Sequence, residues 1–215
     1  MTGKLFFVSY AHASPQPSRG ANRHVIKFFD ELSENVSELV SRAAGEDPGY
    51  LDRSMSPGNR WTPELLDCLG TCQVFVALVG PPYLTSKWCG MEWFGFSQRP
   101  VLRRRDTASA RQTAILPVIW APYTEDEVPP AVAEVQRFAP DGLLMAGPAA
   151  RYEKEGVLGL KQKRRGSDYH AIVWELAKAI AGLQHSHWVE PRELQYEELR
   201  DVFTEYPAGP WENAP

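Results

Sequence analysis

The sequence predicts an α/β domain built on a central parallel sheet of about five strands, with helices on both faces. Three observations carry this. Short apolar runs recur along the chain, stretches with helical spacing or helix-start signals separate them, and Gly and Pro punctuate the junctions. At 215 residues with 43% apolar and 23% charged composition, the chain suits one domain, or one domain with appendages.

The first run, Leu5 to Ser9, is apolar almost throughout, as expected of a central strand buried on both faces. A Ser-, Pro- and Gly-rich loop follows, from Ala11 to Asn22. Val25, Phe28, Phe29, Leu32, Val36, Leu39 and Val40 then recur at three- and four-residue steps and predict the first helix, with Gly45 as its stop signal. Gly49 to Asp52 reads as a short strand, and Arg53 to Arg60 as a turn-rich loop. Thr62 is placed to cap a second helix that carries Pro63 at its first position and Leu65, Leu69 and Cys72 on its apolar stripe.

Gln73 to Val79 is the strongest strand, stopped by Gly80-Pro81-Pro82, and a short helix is expected from about Trp88 to Ser97. Ile115 to Trp120 is a further strand, where Pro117 implies a bulge or an edge position. Gly142 to Met145 is a weak fifth strand, and Tyr169 to Leu183 a final helix. Beyond His187 the tail reads as an added helix from Leu194 to Phe203 followed by a linker, and its ending reads as a cut point in a longer chain.

Composition narrows the function classes. A net charge of −4 argues against bulk nucleic-acid binding. No apolar stretch approaches the length of a membrane span, no signal-peptide pattern precedes the first strand, and three cysteines make no disulfide framework. The expected setting is reducing and cytoplasmic. Cys68 and Cys72 lack a partner pair at zinc-site spacing and read as core residues, and His185-x-His187 reads as a helix end. There is no Gly-rich phosphate loop and no Gly-x-Ser-x-Gly elbow. Arg103 to Arg105 and Lys161 to Arg165 form basic clusters in expected loops. They read as solvated surface, with attraction for a phosphate-bearing ligand as the sharper alternative.

Three segments together resemble the Toll/interleukin-1 receptor-like (TIR) family. Phe6-Phe7-Val8-Ser9-Tyr10 is similar to its first box, and Asp52 to Trp61, with Pro57-Gly58, to the loop after its second strand. The most specific piece is Thr71 to Glu92: a third strand, then Pro81-Pro82-Tyr83 as a Pro-x-Tyr, then Ser86-Lys87-Trp88-Cys89-Gly90-Met91-Glu92. Cys89 to Phe96 also resembles actinobacterial TIR-like proteins that accompany the FxSxx-COOH peptide system. A departure is Ala11, where several active members carry a basic or polar residue.

The resemblance implies a flavodoxin-like three-layer fold, with residues 1–185 as the TIR-like domain and 186–215 as a C-terminal extension or linker. It implies assembly-dependent cleavage of the nicotinamide–ribosyl bond of NAD, by hydrolysis or cyclisation, in bacterial defence or signalling, with self-association through the Arg53–Arg60 loop, NAD as substrate, no separate cofactor and no metal. Glu92 matches the family's catalytic glutamate; Trp88, Ser86, Ser9, Tyr10 and Asp52 are the candidate substrate-binding residues. Residue type alone would leave Glu92 a solvated residue near a helix start; the order and spacing of the motif make it a site. Two other classes stay open. One is a non-catalytic scaffold that self-associates through the Arg53–Arg60 loop or binds a partner. The other is a sensor that binds a nucleotide without cleaving it.

Overall fold

The computed structural model describes residues 3–11, 22–41, 46–52, 61–104, 113–143 and 146–204. In chain order its first elements are β1 (Phe6–Ser9), α1 (Arg23–Leu39), β2 (Gly49–Leu51), α2 (Pro63–Thr71), β3 (Val74–Val79), α3 (Pro81–Leu84) and α4 (Lys87–Ser97). There follow β4 (Val101–Arg103), β5 (Ile115–Ile119), α5 (Pro130–Ala133), α6 (Ala146–Gln162), α7 (Gly166–Ser186) and β6 (His187–Val189).

The main sheet is parallel, in the order β2-β1-β3-β5. The apolar run at the start of the chain therefore lies inside it: Val8 sits in register with Leu51 on one side and Val76 on the other. Pro117 pairs with Ala77 at the β5 edge, where its missing N–H breaks no ladder and its carbonyl accepts from Phe138 N at 2.9 Å. Gly142 and Leu143 lie in a turn instead of the expected strand, and Leu144 and Met145 fall outside the described residues, as does the Arg53–Arg60 loop.

Alternation along the strands divides the core in two. Phe6, Val8, Val74, Val76 and Leu78 face α1, α6 and α7. Phe7, Phe75, Ala77 and Val79 face α2, α4 and the C-terminal segment. The first helix ends where its stripe ends, with Val40 already extended. The second starts as expected, Thr62 Oγ1 accepting from Leu65 N at 3.1 Å and Pro63 at its first position. Helix α6 had no clear signal: Gly156 (φ 64°) breaks it, and a Cβ there would lie 2.7 Å from Trp120 O.

The basic residues are not all in loops: Arg103 belongs to β4, which pairs antiparallel with β6, and Lys161 belongs to α6, where it meets Glu31 and Tyr169. The tail forms no helix from Leu194 to Phe203. It runs as a strap with one short 3-10 turn at Tyr196–Glu198, and Leu194, Leu199 and Phe203 are buried against α2 and α4. The strap comes so close that a Cβ on Gly70 would lie 2.3 Å from Arg192 O, and one on Gly90 would lie 2.1 Å from Asp201 Oδ1. Arg99, 3% exposed, ties the layers by donating to Leu69 O at 2.8 Å and Glu190 O at 3.0 Å. No helix among the described residues is long and apolar enough to cross a membrane.

Candidate active site

A parallel sheet of this order changes direction between β1 and β3, which leaves a crevice at their carboxyl ends. Ser9 closes β1 there. Across the crevice the chain leaves β3 through Gly80 and turns into α3, which carries Tyr83. Ser86 then caps α4, its hydroxyl accepting from Cys89 N at 3.3 Å. That places Glu92 in the second turn of α4, four residues from Trp88 and on the same side of the helix.

Glu92 is the only charged side chain between Trp88 and Ser97 and is 6% exposed. Helix α4 is apolar on nearly every side because the sheet covers one flank and the strap another. A carboxyl group in such a place needs partners. Ser9 Oγ donates to Glu92 Oε2 at 2.5 Å, and Ser9 Oγ also lies 3.1 Å from the Tyr83 hydroxyl. Burial pushes the Glu92 carboxyl up to about 8; the Ser9 hydrogen bond opposes the rise and the Asp52 charge adds to it. Burial likewise raises the Tyr83 phenol and the Cys89 thiol well above their usual values, with the Glu92 charge contributing to both.

Of the residues singled out in the sequence, Ser9 and Glu92 touch at this end of the sheet; Ser86 caps the helix that carries Glu92, and the Asp52 charge acts on it. Asp52 is 8% exposed and follows β2. Tyr10 does not line the crevice face. It follows Ser9 and so turns to the α1 side, where it joins the other core, and its hydroxyl donates to Asp52 O at 2.9 Å. Tyr10 thus fixes the end of β2 relative to β1. Trp88 is half-buried and packs on Trp61, ring centroids 5.9 Å apart; Trp61 in turn meets Tyr196 of the strap at 6.2 Å. Trp61 also packs in the core with Leu65 and so anchors the start of α2.

Sequence reasoning missed Tyr83 and the strap. Tyr83 lay in the quoted Pro-x-Tyr, and its place directly after the strongest strand was the available signal. For the strap the signal was α4 itself: a helix with almost no polar face must be covered twice. Two described cavities, of about 380 Å³ beside Arg137 and Glu175 and about 430 Å³ beside Arg104 and His185, lie away from Glu92.

A protein-family model described as TIR domain matches residues 6–141. That span contains β1 to β5 and every candidate site residue, and stops before α6, α7 and the strap. No curated protein and no solved structure matches the chain.

Proposed function

The chain belongs to the TIR domain family, and from that premise we propose that it cleaves the nicotinamide–ribosyl bond of NAD, with Glu92 as the catalytic residue. The observation that carries this reading is a buried carboxyl group held by a serine hydroxyl at the carboxyl ends of β1 and β3. Such a group is costly to the fold, and in its ionised form it stabilises positive charge.

The chemistry asks little else of the protein. As the glycosidic bond breaks, its electron pair passes to the nicotinamide nitrogen, and the cationic ring leaves neutral, with no acid required. The ribose becomes oxocarbenium-like. An ionised Glu92 stabilises that charge more than it stabilises the ground state, and only such a difference accelerates the step. Water then bonds to the anomeric carbon and loses a proton, giving ADP-ribose; an internal nucleophile would give a cyclic product. The cationic ring itself favours the ionised form of Glu92. Trp88, at the same side of α4, offers a ring face, and Ser86 and Asp52 are polar groups of the same crevice.

Burial of Glu92 also supports low activity in the isolated chain and dependence on assembly, which would uncover the carboxyl. The same burial favours a second reading: a scaffold in which Glu92 is a satisfied core residue and the protein acts through association. Incubation with NAD at high protein concentration or with a clustering agent separates the two. Nicotinamide release that falls at least about 100-fold in Glu92→Ala supports catalysis. Association with NAD left intact at every concentration, or release unaffected by the substitution, would sink it.

A further inference from the structure

We propose that Tyr83 is a positioning residue for Glu92 and acts through Ser9: the phenol donates to Ser9 Oγ, which leaves the serine proton to be directed at Glu92 Oε2. The inference deepens the reading of Glu92 as the catalytic group, but it stands on contacts that exist without substrate.

A serine hydroxyl has one proton and two lone pairs, so alone it can turn to several partners. In this protein its oxygen partners are the Glu92 carboxyl and the Tyr83 phenol, and the Cys89 thiol, a weaker donor, also reaches it. Ser9 Oγ is 2.5 Å from Glu92 Oε2 and 3.1 Å from Tyr83 Oη. If Ser9 donates to the carboxylate, the phenol must donate to Ser9. The three residues are 1%, 6% and 1% exposed for Ser9, Glu92 and Tyr83, so water cannot take either role readily. Such chains strengthen each bond in them.

The phenol is in turn held from behind. Tyr83 packs against Phe203 of the strap at 5.6 Å, and Phe203 meets Trp93 of α4 at 6.0 Å. The matched family region supplies Ser9, Tyr83 and Glu92, while the strap beyond it supplies the wall that fixes the phenol. Among the described residues, the titratable groups that act on this trio are Asp52 after β2, Cys89 on α4, and Asp201 of the strap, which acts on Cys89.

The test reads Glu92 directly. Side-chain carboxyl carbons of glutamate are labelled with 13C in the full chain, and Glu92→Gln identifies the Glu92 signal by its loss. Its titration midpoint is then measured in the wild type, Ser9→Ala, Tyr83→Phe and the double variant. Loss of the direct donor in Ser9→Ala should raise the midpoint by about one pH unit. Tyr83→Phe should raise it by roughly 0.3–0.5 unit through a weaker Ser9 donor. The double variant should match Ser9→Ala alone, because Tyr83 has nothing left to act through.

A Tyr83→Phe midpoint equal to the wild type, or a shift that adds in full to that of Ser9→Ala, overturns the relay. A purely structural tyrosine would lower thermal stability and leave the midpoint in place. No NAD turnover enters this experiment. A failed NAD assay with the expected midpoints would remove the proposed activity and keep the relay; the reverse pattern would remove the relay alone.

Discussion

The two faces of the sheet are built from similar apolar strands and put to different uses. On the α1–α7 face, Phe6, Val8, Val76 and Leu78 meet long helices whose buried side chains are mostly apolar, and the two carboxylates that α7 buries, Asp168 and Glu175, are ion-paired with Arg151 and Lys178. Its main polar cluster, Glu31 with Lys161 and Tyr169, sits only part-buried at the margin. On the α4 face the sheet is covered by an 11-residue helix that buries a carboxyl group, and by a strap that is not part of the sheet. The carboxylates on the α1–α7 face have cationic partners, whereas Glu92 on the other is held by a serine hydroxyl. The α4 face holds Ser9, Tyr83 and Glu92 together at one end. Functional groups that cost stability are expected where the rest of the fold can carry them.

The contrast can be broken by substitution. Leu32 of α1 is fully buried on the first face. Leu32→Ala should cost about 2–5 kcal/mol in denaturant unfolding and leave the Glu92 midpoint where it was. A shifted midpoint would mean that the two faces are coupled more tightly than the sheet implies.

Glu92→Gln should act in the opposite sense. With the carboxyl raised from 4.5 to about 8 in the folded chain, both states are protonated below 4.5. Between those values the folded state keeps a proton that the unfolded state has released, so stability falls as pH rises, by at most about 1.4 kcal/mol per pH unit. Above about 8 the loss is complete. Glu92→Gln removes this contribution, so its unfolding free energy should decline less from pH 5 to pH 8, and it should exceed the wild type at pH 8. Parallel curves for the two proteins would show that Glu92 titrates normally.

A smaller effect tests the strap. In Gly90→Ala the new Cβ falls on Asp201 Oδ1, whose carboxylate also accepts from Phe203 N at 3.1 Å and binds the Thr204 hydroxyl. The cost should be about 1–3 kcal/mol. Protease cleavage between residues 190 and 204 should become faster before the rest of the domain opens. Unchanged proteolysis would mean that the strap yields locally and does not hold α4.

These comparisons also explain what was legible in the sequence. Strands β1 and β3 and helix α1 could be read because a single physical requirement, burial of a face or of both faces, writes a period into the residues. The caps Thr62 and Ser86 could be read because a side-chain oxygen before a helix has a local role. Glu92 could be named from motif order and spacing. What could not be read depends on distant contacts. The strap has no period of its own, since Leu194, Leu199 and Phe203 are spaced by the groove that receives them. Gly156 hides α6 because its positive φ serves the approach to Trp120. Tyr10 looked like a neighbour of Ser9 in the site, but strand alternation sends it to the opposite face.

The most direct test of the central claim is the pH dependence of nicotinamide release by the clustered protein, measured as kcat/KM, which reports the free protein's titrating groups. If Glu92 is the catalytic carboxylate, the rate climbs as pH rises through the midpoint of Glu92, which lies at about 8 in the single chain and lower where assembly uncovers the carboxyl, and Glu92→Gln stays at background across the range. A flat profile in the wild type, or a Glu92→Gln variant that releases nicotinamide at the wild-type rate, would contradict it.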